Sequence, residues 1–179
     1  MDARLQSLEA EAGKRRDLDN PPLHLWHPPL SGDIPIVIAA DGSWYHDGGM
    51  IKRHALVRLF ASILRREEDG EYYLVTPSEK WRISVERHAL MVTDFELSAG
   101  EPPQLRVTLN TDRQVTVDEQ HPLYLDPEME GIAAIRLDHG LSALFTRAAW
   151  YRLVDGAEQI DGVPSVSSGG KVYPLLESP

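Results

Sequence analysis

The stretch from Trp44 to Arg66 constrains the fold most, because it sets a tight turn directly against the strongest helical pattern in the chain. Asp47-Gly48-Gly49 supplies the turn, since glycine takes positive φ without a Cβ clash. Leu56, Leu59, Phe60, Ile63 and Leu64 then recur at the three-and-four spacing of one helical face. Arg53, Arg58, Arg65 and Arg66 fall mostly off that face. The spacing predicts a helix stopped by Glu67-Glu68-Asp69, with Gly70 as its terminal residue. Tyr72-Tyr73-Leu74-Val75 follows as the first strand of a sheet on which the helix lies. None of this is a catalytic signature.

Before that stretch, residues 1–19 carry Leu5, Leu8, Ala12 and Leu18 among charged residues, which predicts a weakly amphipathic, peripheral helix. Asn20-Pro21-Pro22 ends it, and Pro28-Pro29 keeps the following arm extended, with Trp26 and Leu30 packing onto the domain. Residues 34–40 read as a buried strand, and Trp44-Tyr45-His46 as a short one. After Tyr72, residues 81–86 alternate a wet face (Arg82, Ser84, Glu86) with a dry one (Ile83, Val85). Residues 91–97 read as the next strand, and Ser98-Ala99-Gly100-Glu101-Pro102-Pro103 as the domain boundary.

Beyond the boundary, residues 105–109 and 115–117 predict a hairpin, and residues 121–125 and 132–137 further strands around an acidic loop. Asp138-His139-Gly140 leads into a second helix, with Leu141, Leu144, Phe145, Ala148 and Tyr151 on one face. Both helices begin with Leu-x-x-Leu-Phe, at Leu56 and at Leu141, an echo that points to duplication. Runs of strands around single helices favour an α+β class over a doubly wound sheet. The expected organisation is a peripheral segment (1–24) followed by two tandem, structurally repeated α+β domains (25–99 and 100–179). Each has a small, mostly antiparallel sheet and one main helix.

Composition narrows the function. A net charge of −10 argues against a nucleic-acid polymer or an anionic membrane as partner, since both demand a broad positive face. The absence of cysteine excludes disulfides and thiolate sites. Met1 to Asn20 lacks the apolar run of a signal peptide, and no segment approaches the roughly 20 apolar residues of a span, so a cytoplasmic location is expected.

Motifs with chemistry are scarce. His24 and His27 are three apart among prolines, and His46, His88, His121 and His139 are scattered, so no metal site is expected. Asp41, Ser43 and Asp47 lack the ligand order of a calcium loop. In Ser165-Val166-Ser167-Ser168-Gly169-Gly170-Lys171 the positions a phosphate-binding loop needs as glycine and Ser/Thr are Ser165 and Val172. A Ser/Gly turn beside a lysine can still hold an anion through backbone N–H groups. No Gly-x-Ser-x-Gly elbow is present. Arg53, Arg113, Arg136 and Arg147 stand at strand ends and helix starts, where their planar forks could serve a carboxylate or phosphate.

Asp41-Gly42-Ser43-Trp44-Tyr45-His46, Ile51-Lys52-Arg53, Leu56-Val57-Arg58-Leu59-Phe60 and the block from Gly70 to Lys80 (Tyr72-Tyr73-Leu74-Val75-Thr76-Pro77-x-Glu79-Lys80) resemble an uncharacterised bacterial family, domain of unknown function 1285. His121-Pro122-Leu123, Gly140-Leu141-x-Ala143-Leu144, Arg147, Tyr151 and Ser168-Gly169-Gly170 extend the likeness over residues 25 to 175. The chain departs from it with Arg87-His88-Ala89-Leu90, where an Asp-Ala-Pro-Phe-like segment is expected. The resemblance implies two repeated α+β domains, the second loosely like a pleckstrin-homology fold. It also implies a cleft at the domain interface for a nucleotide-like molecule and a signalling role, but no catalytic activity or cofactor.

The leading expectation is therefore a non-catalytic binding or sensing protein, with Arg53, Lys80, Trp81, Arg136, Arg147, Ser168, Gly169 and Gly170 gathered around a small anionic ligand. That reading expects the arginines to lack carboxylate partners. One alternative is a hydrolase or transferase with His46 or His54 as acid/base. Another is an interaction module meeting a protein partner or a second copy.

Overall fold

In a computed structural model that describes residues 2–14 and 20–177, the N-terminal helix runs over Ala3–Gly13 (α1) and buries Leu5, Leu8 and Ala12. Asp2 caps it by accepting the Arg4 N–H at 2.9 Å. Leu18, expected on the same stripe, lies outside the described residues. The chain divides into two compact units, the first reaching to Ala89 and including His139–Leu141, the second holding the remainder.

The first unit lays out β1 (Gly32–Ile38), β2 (Trp44–His46) and β3 (Gly49–Met50), then α2 (His54–Ser62), then β4 (Leu64–Arg66), β5 (Tyr72–Val75) and β6 (Lys80–Val85). They form one sheet in the order β3-β2-β1-β6-β5-β4, antiparallel except where β1 runs parallel to β6. Leu56, Leu59 and Phe60 of α2 are buried, as the spacing predicts, and Phe60 stacks on Trp44 at 6.4 Å between centroids. The helix nevertheless ends at Ser62. Leu64–Arg66 is a strand that pairs with Tyr72–Leu74, and Gly70 (φ 81°) belongs to their hairpin turn. Ile63 and Leu64 continue the helical spacing yet are buried by a ladder, with Ile63 O accepting the Val75 N–H at 2.9 Å. Short apolar runs serve either period.

The second unit begins ten residues earlier than expected, because β7 (Leu90–Ser98) pairs with β8 (Gln104–Leu109) and β12 (Ser142–Phe145). Residues 98–103 are therefore a turn inside that unit, and the division falls after Ala89. With β9 (Gln114–Thr116), β10 (Leu123–Asp126) and β11 (Ile132–Arg136), the sheet runs β10-β11-β12-β7-β8-β9. Only β7 and β12 are parallel in it. Each six-stranded sheet thus joins two three-strand meanders through one parallel pair between its first and last strands, so the two sheets share a topology.

The helices do not follow this repeat. The expected helix from Leu141 is instead strand β12 and then α3 (Arg147–Asp155), capped by Thr146, whose Oγ1 accepts the Ala149 N–H at 3.3 Å. Its buried face is Ala149, Trp150 and Leu153, while Tyr151 is exposed. The Leu-x-x-Leu-Phe echo pairs a helix with a strand and so is not part of the structural repeat that the strand order displays. A three-strand meander, β13 (Glu158–Ile160), β14 (Val163–Ser168) and β15 (Lys171–Pro174), completes the second unit. Among the described residues, no helix is long and apolar enough to cross a membrane.

Candidate ligand-binding groove

The parallel seam of the first unit is not continuous. Between the pairings Asp33–Arg82 and Val37–Ser84, β1 carries Ile34, Pro35 and Ile36 where β6 carries Ile83 alone. Proline removes a ladder donor and is tolerated in a sheet at such an irregularity. Where the strands part, a groove of about 510 Å³ opens over Ile34, Pro35 and Ile83, with Arg4, Asp33, Glu71 and Arg82 among its lining.

The charges around it are unevenly satisfied. Arg4 donates Nε and Nη2 to the Asp2 carboxylate at 3.0 and 2.6 Å, and Nη1 to the Asp33 carbonyl at 2.7 Å. Its hydrogen bond holds the Asp2 carboxyl far below the usual carboxylate range. Arg82 donates Nε to Asp33 Oδ1 at 2.7 Å, which raises the guanidinium further. Its Nη groups have no hydrogen-bond acceptor among the described residues, and the charge of Glu71 nearby adds to the rise. Asp2, His46 and Asp47 also bring potential metal donors within 4.8 Å of one another, but Arg4 already holds both oxygens of Asp2. His46 Nε2 stands 3.3 Å from Asp2; His54, the other acid/base candidate, is the first residue of α2.

The residues expected to make the site divide between the units. Arg53, at the start of α2, pairs with Glu9. Lys80 pairs with Glu67 at 2.9 Å and sits 4.6 Å from the Tyr73 ring. Trp81 lies under the Arg4 guanidinium, at 5.9 Å, with Gly32 close against its ring. In the second unit, Arg147 pairs with Glu130 at 3.3 Å, and Arg113 with Asp138 at 3.7 Å. Arg136 lies 4.9 Å over the Tyr124 ring with no carboxylate among the described residues. Three of the expected cations, Arg53, Lys80 and Arg147, are thus answered by carboxylates of their own.

Ser168-Gly169-Gly170 has a structural use. The two glycines, at φ 60° and 84°, form the two-residue turn between β14 and β15. A Cβ on Gly169 would fall 3.1 Å from that of Asp118. Ser168 is fully buried; its Oγ accepts the Leu105 N–H at 2.8 Å and donates to the Val117 carbonyl at 2.5 Å. Ser168→Ala strands both backbone groups, and a loss of about 1–3 kcal/mol is expected in denaturant unfolding. An unchanged midpoint would contradict that role.

The groove residues were missed because Arg4, Asp33, Glu71 and Arg82 are remote in sequence. Pro35 inside an apolar run, together with Arg82 on the wet face of its strand, was the available signal.

Family models for the N-terminal and C-terminal domains of domain of unknown function 1285 match residues 21–88 and 89–175. The crystal structure of a protein of that family from Silicibacter pomeroyi DSS-3 is 38% identical over 94% of each chain, with a TM-score of 0.84. Another, from Shewanella baltica OS155, is 32% identical over 67% of this chain and 90% of its own, with a TM-score of 0.57. No curated protein matches the chain.

Proposed function

The chain belongs to the DUF1285 family, and we propose that it is a non-catalytic cytoplasmic protein that binds and senses a small ligand carrying an anionic group. The opening of the β1–β6 seam carries this reading. Arg82 commits only Nε to Asp33, and its two Nη groups remain for an acceptor in a groove that it lines. A planar fork meets a carboxylate or phosphate with two parallel hydrogen bonds. About 510 Å³ lies within the span of small-molecule sites. Arg53, Lys80 and Arg147 are paired with Glu9, Glu67 and Glu130 much as Arg82 is with Asp33, and it is the open seam beside Arg82 that sets it apart.

A thermal-shift panel of nucleotides, phosphorylated metabolites and small carboxylates on the full chain tests the reading. A ligand at about a hundred times its dissociation constant adds roughly 2.7 kcal/mol, a rise of several degrees. The rise is expected to vanish in Arg82→Gln and persist in Arg136→Gln. The reverse pattern, or no response to any compound, contradicts the reading.

A further inference from the structure

We propose that the second unit holds a separate site for a small, uncharged, ring-sized apolar molecule, in the cleft where the β7–β8 hairpin, the end of α3 and strand β14 meet. The cleft has a volume of about 190 Å³, and every residue that lines it belongs to the second unit. Protein interiors are close-packed, and gaps larger than a water molecule are few. This one stays open because three elements converge on it with small side chains: Ser98 and Ala99 from the hairpin, Gly156 and Ala157 after α3, Ser165 and Ser167 from β14. Leu97 beside them is 46% exposed, and Ala99 and Pro103 are exposed too, so the cleft keeps apolar surface in water that a ligand would cover.

The lining also sets the class of ligand. It contains no lysine, arginine or histidine, so an anion gains no partner there. Its one ionisable group is Glu158, an exposed carboxylate whose pull on an ammonium is screened by water. Two hydroxyls are available instead. Ser167 Oγ has no hydrogen-bond partner among the described residues, and Ser98 Oγ reaches the Gln104 carbonyl only at 3.5 Å. One hydroxyl on the ligand can therefore be answered. An apolar cavity of about 150 Å³ holds a benzene ring, so about 190 Å³ suits one ring with a short substituent. This site takes a different class of molecule from the β1–β6 groove and stands or falls independently of it.

Amide chemical-shift titration of the full chain with benzyl alcohol, benzoate and benzylamine, which share one ring, tests this. Benzyl alcohol is expected to move the amides of Leu97, Ala157 and Ser167 and to saturate below roughly 50 mM, as suits so small a ligand. Benzoate and benzylamine are expected to bind about tenfold more weakly, since each brings a charge whose desolvation the cleft does not answer. Ala157→Leu, and independently Ser98→Leu on the exposed turn, are expected to fill the cleft and abolish the benzyl alcohol shifts while the spectrum stays dispersed. Saturable shifts that survive both fillers would place the ligand elsewhere and overturn the proposal. Benzoate or benzylamine binding as tightly as the alcohol would overturn the uncharged class. No saturable shift at these residues with any of the three would overturn the site itself.

Discussion

Replacing Phe60 by alanine is expected to remove about 3–5 kcal/mol from the stability of the first unit. Phe60 is fully buried, its ring stacks on Trp44, and Trp44 is itself only 1% exposed. Truncation removes transfer free energy and leaves a cavity whose walls are fixed by two elements. Phe60 shares the buried face of α2 with Leu56 and Leu59, and Trp44 of β2 stacks against it. Such a site collapses poorly, which favours the upper part of the range. For a unit of this size the midpoint should fall by roughly 12 °C or more. The probe must report the first unit, because the chain has two and a single transition is not assured. Tryptophan fluorescence serves in a Trp150→Phe background, where Trp26, Trp44 and Trp81 all belong to the first unit, and a drop of only a few degrees would contradict a core centred on this pair.

The second large effect is expected at Arg65, which the helix reading had put on a solvent face. Its Nη1 donates to the carbonyls of Leu23 and Trp26, both at 2.9 Å, and its Nε and Nη2 reach Glu67 Oε2 at 3.1 and 2.6 Å. It therefore fixes the proline-rich arm, while Glu67 in turn receives Lys80. Burial pushes the Glu67 carboxyl up, and the hydrogen bonds from Lys80 and Arg65 outweigh it, so the group is held below its ordinary value of 4.5. Arg65→Met is expected to cost about 2–4 kcal/mol at neutral pH, since two carbonyls and part of a carboxylate lose their partner.

The pH dependence follows from the sign of that shift. With the folded value below the unfolded one, the contribution is present above pH 4.5 and is lost as pH falls through the lower folded value. Wild type should lose stability on acidification below pH 4.5 more steeply than Arg65→Met, so the two curves approach each other. Parallel curves across that range would remove Arg65 from the account of Glu67.

Much of the architecture was legible, for reasons visible at particular residues. The α+β class followed from runs of strands around single helices, marked by the turn signal at Asp47-Gly48 and the alternation along residues 81–86. The errors came where a short apolar run serves two periods. Leu64 and Phe145 continue helical spacings and yet lie in strands, because a neighbouring strand was available to complete a ladder. The Ser98–Pro103 cluster reads as a linker, but tight turns use the same residues, and only long-range pairing assigns β7 to the second sheet. The echo that pointed to a repeat pairs a helix with a strand, while the strand order that the two sheets share has no short-range signature.

The candidate site was less legible. Arginine at a strand end signals an anion only if no carboxylate is near, and Glu9, Glu67 and Glu130 come to Arg53, Lys80 and Arg147 from remote positions. Arg82 was visible as a wet-face residue, but the register shift beside it and its pairing with Asp33 arise from contacts remote in sequence.

The most direct test of a ligand groove in the first unit is an amide chemical-shift map of the full chain, titrated with the compound that stabilises it most. The groove predicts movements centred on Asp33, Ile34, Arg82, Ile83 and Ser84, with Arg136, Arg147 and Ser168 little changed. Shifts centred on Arg136 and Arg147, with the β1–β6 seam still, would contradict it and place the site in the second unit instead.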